Sequence, residues 1–470
     1  MVVKKSVREI GVIILAAGQG TRMKSTHPKV LHSLGGKPLF LHVLSAARRL
    51  KPTTVAMVIG HGGDAVREAH LGDEVIWVVQ EKQLGTGHAV RCAQAAFQHF
   101  SGDVVILSGD VPLISERTLR AMIDHHRNQG AALTLLTAWL ATPRGYGRIL
   151  RDEKGEITGI VEERDATPGQ RQIKEVNAGV YVASPQFLFA ALASVNNRNQ
   201  QGEYYLPDVV SIGLKEGKKV STVKVEDARE MMGVNTREEL AYMEKSLQEK
   251  INQEWMAAGV TFKDPQTTYI EPDVTIGRDT VIGPNTSLRG RTVVGERCKI
   301  DGTAYLTDVE IGNEVHLRFA VVITGCRIGH RAIIGPFAHL RPGTSLDRNV
   351  HIGNFVETKE ATLGEGTKAN HLTYLGDVTI GAETNIGAGT ITCNYDGFKK
   401  YRTKIGDRVQ VGSDSTLVAP LTLGDDTYIA TATTLRHDVP AGALAYNERQ
   451  ERIREGWTKQ KREKMKGPMK

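Results

Sequence analysis

A short apolar run, Ile10–Leu15, leads into Leu15-Ala16-Ala17-Gly18-Gln19-Gly20-Thr21-Arg22-Met23, and Pro28-Lys29 follows shortly after. A glycine-rich turn behind a strand directs backbone N–H groups at a phosphate or a base. Arg22 and Lys29 bring two positive charges to that turn, which suits a triphosphate better than a nicotinamide. Arg22 taken alone reads equally as a solvated loop charge. The dinucleotide fingerprint is excluded, because its third glycine position is Met23 and no acidic residue lies at the required distance. The Walker pattern is absent as well. A second apolar run, Val104–Leu107, ends in Ser108-Gly109-Asp110, which adds a carboxylate able to hold a hard cation through oxygen.

These groups need a scaffold that puts several strand ends at one edge. Val55–Ile59, Val75–Val79 and Val104–Leu107 read as buried strands, alternating with amphipathic stretches such as Leu39–Leu50 and His88–Phe97. The alternation predicts a Rossmann-like α/β domain, a parallel sheet with helices on both faces, whose ligands bind at the carboxyl ends of the strands. The N-terminal apolar run is too short for a signal peptide, is led by Glu9 and runs straight into the turn, so it reads as the first strand.

From Ile270 the pattern changes. Aliphatic residues fall on every sixth position through Ile276, Ile282, Leu288, Val294, Ile300 and Leu306. The beat returns over Ile328–Ile352 and again from Ile405 to Leu435. Compact residues (Val274, Thr280, Thr286, Thr292, Cys298, Ala304) stand four places after the first six. A period of six predicts a hexapeptide-repeat parallel β-helix, in which each aliphatic residue stacks on the one a coil below. Between the halves, Thr236 and Glu239 form a capping box ahead of Leu240, Met243, Leu247, Ile251 and Trp255, and Gly259 stops the helix. The expected domains are 1–237, a linker helix over 238–258, and 259–470.

The formal charge of +7 does not indicate nucleic acid. Trp457–Lys470 carries six Lys or Arg against one Glu, so a basic tail, expected to be disordered, holds most of the excess. The four cysteines show no CxxC spacing, so neither a zinc site nor a disulfide framework is indicated, which fits a reduced, cytoplasmic protein. No segment approaches the ~18 apolar residues of a membrane span.

The order LAAGxGTRM with PK, Gln80, Gly85-Thr86-Gly87-His88, Gly109-Asp110, Gly145-Tyr146-Gly147-Arg148, Glu162, Asn177 and Gly233-Val234-Asn235 resembles sugar-1-phosphate nucleotidyltransferases. Together with Asn354–Glu357, His371–Asp377 and Asn385–Gly397, residues 9–450 resemble the bacterial bifunctional N-acetylglucosamine-1-phosphate uridylyltransferase and glucosamine-1-phosphate N-acetyltransferases. The resemblance implies a left-handed β-helix and a homotrimer, with no nucleic acid or membrane partner. The implied substrates are glucosamine-1-phosphate, acetyl-CoA, N-acetylglucosamine-1-phosphate and UTP.

The resemblance also implies roles. Leu15, Ala16, Ala17, Gly18, Gln80, Gly85 and Thr86 would hold uracil, and Arg22 and Lys29 would clamp the UTP phosphates. Asp110 and Asn235 would hold Mg2+, and Gly147, Glu162 and Asn177 would bind the sugar. In the coil, His371 would be the base for acetyl transfer, with Arg341, Lys359, Tyr374 and Asn385 on the sugar phosphate. Ala388, Asn394, Tyr395, Ser413, Thr431 and Arg449 would serve acetyl-CoA. Lys399–Tyr401 lies in the Asp396–Thr403 segment, which breaks the hexad and is expected to form a loop over a neighbouring subunit. Two positions depart from the family: Thr431 replaces a smaller residue, and Glu448 stands where relatives carry an arginine. Either Arg449 and the basic tail take that place or the register slips by one. The alternative is a single-activity nucleotidyltransferase with a structural or regulatory β-helix.

Overall fold

The computed structural model describes residues 8–18, 20–60, 62–70, 72, 75–448 and 450–465. The chain divides into two compact units, Met1–Lys250 and Ile251–Lys470. Among the described residues no helix is long and apolar enough to cross a membrane.

The first unit holds β1 (Ile10–Ala16), β2 (Thr54–Ile59), β3 (Ile76–Val79), β4 (Asp103–Ser108), β5 (Leu133–Trp139), β6 (Arg148–Arg151), β7 (Ile157–Val161), β8 (Glu175–Ala183) and β9 (Val220–Lys224). The sheet order is β9-β5-β8-β4-β1-β2-β3, with β6 pairing both β8 and β7. β1 runs parallel to β2 and β4, as the alternation predicts. The expected parallel sheet also takes in antiparallel strands: β8 against β4 and β5, and β6 against β8 and β7. Alternate residues of β1 enter two separate cores. Val12 and Ile14 pack with α1 (Leu39–Arg49), α2 (Gly63–Glu68) and α4 (Glu116–Gln129). Ile13 packs with α3 (Thr86–Cys92), α5 (Pro185–Ser194) and α6 (Asp208–Lys215). Helices therefore cover both faces, and the strand ends are left for ligands.

Helix α7 (Arg237–Ala257) opens on the expected capping box: Glu239 N donates to Thr236 Oγ1 at 3.1 Å, and Thr236 N to Glu239 Oε2 at 3.0 Å.

The second unit is a parallel β-helix. Its coils stack Ile270 on Leu288, Leu306, Ile323 and Leu340, and Ile276 on Val294, Ile311, Ile328 and Leu346. Ile282, Ile300, Leu317, Ile334 and Ile352 make the third column. The compact positions are buried, and their threonine hydroxyls bond to carbonyls, as in Thr286 Oγ1 to Gly283 O at 2.9 Å. One corner turns through a left-handed residue in successive coils: Ala320, Phe337, Phe355, Leu372, Gly389, Asp414 and Ala432, with φ between 46° and 76°. Two long strands, β10 (His351–Leu363) and β11 (Lys368–Ile380), run through that corner and pair in register. In the tail, Trp457–Met465 is helical (α8), which corrects the expected disorder over those residues. Lys, Gln, Arg, Glu and Met are strong helix formers, and Lys461 lies over the Trp457 ring one turn back.

Candidate active sites

The first site is assembled where β1 and β4 end. Gly109 N donates to Leu15 O at 2.8 Å and Val234 N to Asp110 O at 2.9 Å, so three distant segments meet. Lys29 Nζ donates to Asp110 Oδ2 and, at 2.9 Å, to Asn235 Oδ1. Ser108 Oγ holds the other carboxylate oxygen at 2.6 Å. Asn235 is steadied by its backbone N–H, 2.6 Å from the Glu239 oxygen that caps α7. Burial alone would raise the Asp110 carboxyl. The Lys29 charge and the hydrogen bonds from Lys29 and Ser108 outweigh it and hold the group below its ordinary value. The ammonium thus marks a cation position between a carboxylate and an amide oxygen, the donor types a hard divalent ion takes.

A cavity of about 1010 Å3 opens beside this pair, lined by Leu15, Ala17, Gly18, Lys29, Gln80, Gly85, Thr86 and Asp110. Gln83 Nε2 donates to Ala17 O at 2.6 Å, which ties the loop after β3 to the glycine-rich turn. Gly85 has φ +105°, and a Cβ there would lie 2.7 Å from Tyr204 O, so only glycine fits without a shift. Ala16 is buried and is not among the residues that line the cavity. Arg22 stays exposed on its turn and does not line the cavity.

Gly147, Glu162 and Asn177 form a second group. Asn177 N donates to Gly147 O at 2.9 Å, and Asn177 Nδ2 to Tyr181 Oη at 2.6 Å. A Cβ on Gly147 would come 3.0 Å from Glu162 Oε1. Burial first, then the charges of Asp165 and Asp208, push Glu162 above the usual carboxylate value.

In the coil, β10 and β11 set Asn354 directly beside His371. His371 Nδ1 and Asn354 Oδ1 are 2.9 Å apart. An amide oxygen only accepts, so Nδ1 carries the proton and the Nε2 lone pair is free to act as a base. Register continues below: Gly389 N bonds to Leu372 O, Asp414 N to Ala388 O, and Ala432 N to Ser413 O. His371, Ala388, Ser413 and Thr431 therefore follow one another down a single corner. On the adjoining strands Arg341 Nη1 pairs with Glu357 Oε1 at 2.9 Å. The neighbouring Lys400 ammonium holds Lys359 below the usual lysine range, with Arg341 adding to the effect. Arg341, Lys359 and Lys400 thus stand close together, with Glu357 paired to the first of them. Asn394 Nδ2 donates to Asp377 Oδ2. A Cβ on Gly376 would meet Tyr374 Oη and Asn394 Nδ2, which places those two side chains together. Tyr395 is exposed, its hydroxyl donating to Gly397 O at 2.6 Å.

Comparisons with known proteins agree with this division. The model of the MobA-like NTP transferase domain matches residues 12–193. That of the bacterial transferase hexapeptide (six repeats) matches residues 325–359. The bifunctional protein GlmU of Pelobacter propionicus is 47% identical over 96% of this chain and 98% of its own length. That of Geotalea uraniireducens is 47% identical over 97% and 100%, and that of Shouchella clausii 45% over 92% and 95%. The chain belongs to the GlmU family.

Several residues of this GlmU-family chain escaped the sequence reading. Gln83 and Glu203 line the first cavity, Lys400 sits beside Lys359, and Asn354 orients His371. Asn354 alone had a usable signal. It stands one 17-residue coil before His371, so coil arithmetic pairs the two. Asn385 is half-buried one coil below Lys368 and one above Gln410. Arg449, expected at the coenzyme A phosphate, lies outside the described residues.

Proposed function

We propose that the cavity beside Lys29 and Asp110 takes UTP and the sugar phosphate, and that the corner running from His371 to Thr431 carries the acetyl transfer. Membership of its family makes the chain a bifunctional transferase that synthesises UDP-N-acetylglucosamine. It acetylates glucosamine-1-phosphate from acetyl-CoA, then transfers uridylyl from UTP to N-acetylglucosamine-1-phosphate and releases pyrophosphate. The alternative of a merely structural β-helix is not favoured.

In the first unit, Asp110 and Asn235 would hold Mg2+, which when bound neutralises phosphate charge and aligns the α-phosphorus. Lys29, released from these two oxygens, turns to the UTP phosphates, and Glu162 and Asn177 hold the sugar hydroxyls. No side-chain nucleophile is needed, since catalysis is alignment and charge neutralisation. In the second unit, Arg341, Lys359 and Lys400 take the sugar phosphate. His371 Nε2 removes the proton as the amine attacks the thioester, and Asn394 supports the acetyl site from its place beside Tyr374. The coil acts as a homotrimer, which the exposed Phe398 loop would complete by reaching a neighbouring copy; mass by light scattering tests this.

The observation that carries the reading is the Asn354–His371 pair above the Ala388, Ser413 and Thr431 corner. His371→Ala should abolish thiol release from acetyl-CoA and leave pyrophosphate release with N-acetylglucosamine-1-phosphate as acceptor near normal, and Asp110→Ala should do the reverse. Loss of both activities in either folded variant contradicts the assignment.

A further inference from the structure

Gln80 is 4% exposed, yet it lines the first cavity. Its backbone is fixed by the bond from Gln80 N to Ile59 O at 2.8 Å, which continues the line of β2. The side-chain nitrogen makes two contacts: Nε2 donates to Gly85 O at 3.1 Å and faces His88 Nδ1 at 3.0 Å. A carbonyl oxygen only accepts, so the amide nitrogen, and not the oxygen, must face Gly85. The Gly85 carbonyl is itself held rigid. Tyr204 N bonds to Leu84 O and Gly87 N to Tyr204 O, both at 2.8 Å, and Leu206 N bonds to Thr86 Oγ1 at 3.1 Å.

The second amide hydrogen of Gln80 then points at His88 Nδ1, which must be the unprotonated nitrogen of that ring. The other neighbour of Nδ1, Cys92 Sγ at 3.9 Å, is also a donor. Both nitrogen-bound hydrogens are thereby used inside the protein. Among the described residues no group donates to Gln80 Oε1, which remains as an acceptor for whatever fills the cavity.

We propose that His88 is a positioning residue for base selection, holding the Gln80 amide with its oxygen turned to the nucleotide so that a pyrimidine must offer an N–H there. Uracil carries a hydrogen on N3, whereas cytosine has a bare lone pair at the same place. Against a fixed amide oxygen, uracil gains a hydrogen bond and cytosine meets a second acceptor. Without His88 only the Gly85 carbonyl orients the amide, so the inverted amide, whose nitrogen would greet cytosine, is reached at lower cost. A site built to hydrogen-bond one partner rejects an analogue that cannot by far more than a shape difference achieves. The inference rests on the reading that this cavity takes the base of UTP at Gln80.

The test is the ratio of kcat/KM for UTP to that for CTP, measured on the full-length protein with N-acetylglucosamine-1-phosphate. His88→Leu keeps the bulk but loses the acceptor, and should lower the ratio by roughly 10- to 100-fold, with KM for the sugar phosphate unchanged. His88→Asn places Oδ1 where Nδ1 was and should restore most of the ratio, which a structural role for the ring would not do. Should His88→Leu fail to fold, His88→Ala makes the same measurement. If the ratio survives the loss of the acceptor while Gln80→Ala destroys it, His88 has no such role although the reading of the cavity stands. If Gln80→Ala also leaves the ratio intact, the reading of the cavity itself is wrong. Equal use of UTP and CTP by the wild type overturns the proposal outright.

Discussion

Replacing Lys29 by methionine isolates the charge balance at the first site. The two partners of the Lys29–Asp110 pair keep only 13% and 14% of their side-chain exposure. Removing one member of a fully buried pair costs about 3–5 kcal/mol, because the other charge is stranded. The open side of the cavity and the Ser108 hydrogen bond soften this, so about 2–3 kcal/mol is expected for Lys29→Met. Asp110→Asn in the same chain removes the stranded charge, and a double-mutant cycle should return a coupling of about 1.5–3 kcal/mol. The assay is urea unfolding followed by tryptophan fluorescence, using the transition that UTP shifts in the wild type. The sign with pH follows from Asp110. In the wild type its carboxyl is held below the ordinary value, so its contribution is complete above that value and is lost only as pH falls through the lower, folded one. Without Lys29, burial is opposed mainly by the Ser108 hydrogen bond and the group moves up, so the penalty is full at pH 7.5 and is relieved as acidification protonates it. The gap between wild type and Lys29→Met should therefore narrow on acidification. A gap under about 0.5 kcal/mol at pH 7.5, or one independent of pH, refutes the reasoning.

Three shorter predictions follow from other residues. Asn354→Asp puts a carboxylate against His371 Nδ1 and should move the acid limb of acetyl-transfer kcat/KM up by about 0.5–1 pH unit, while Asn354→Leu should lower kcat roughly 10-fold without moving KM for acetyl-CoA; an unshifted profile in Asn354→Asp argues against the pair. Glu162 is raised by burial and by Asp165 and Asp208, so ionising it costs folding free energy as pH rises through its folded value. Glu162→Gln should then raise Tm at pH 7.5, with the gain fading at acid pH, and should weaken binding of N-acetylglucosamine-1-phosphate roughly 10-fold, as isothermal titration would register. Gly85→Ala, strained at φ +105° and crowded by Tyr204 O, should raise KM for UTP at least about 10-fold and lower Tm, and an unaffected KM would show that this loop is not near the nucleotide.

How much of this was legible beforehand depended on whether the signal was periodic. The coil could be read residue by residue because Ile270, Ile276 and Ile282 each begin a column that the following coils repeat with aliphatic residues as far as Leu340, Leu346 and Ile352. The sheet's parallel strands were legible from apolar runs, but the direction of β8 was not. Glu175–Ala183 is almost wholly buried, and a strand covered on both faces reads alike in either direction. The first site was less legible still. Lys29 lies 81 residues from Asp110 and 206 from Asn235, and no local pattern links them; only the resemblance brought them together. The same resemblance assigns Arg22 to the phosphates, and the side chain stands exposed on the turn.

The acetyl corner shows why a coil can build a site from residues that look unrelated in sequence. Tyr374 pairs with Ile391, a coil of 17 residues, but Val378 pairs with Thr403, a coil of 25. The added residues leave the coil after Cys393 and return at Thr403, so they form a loop and not a distortion of the stack. That loop carries Lys400 back beside Lys359, with Arg341 on the coil above, although 59 positions separate the two ends of the trio. Aliphatic columns fix the height of every coil, and the loop length alone then decides which cation meets which. Lys400→Ala would leave the columns and the Phe398 loop intact and withdraw only the charge. Its expected signature is a KM for glucosamine-1-phosphate raised roughly 5- to 50-fold, with Tm almost unchanged, because Lys400 contributes charge-assisted contact and almost no core. A loss of stability instead would mean that Lys400 belongs to the fold and not to the site.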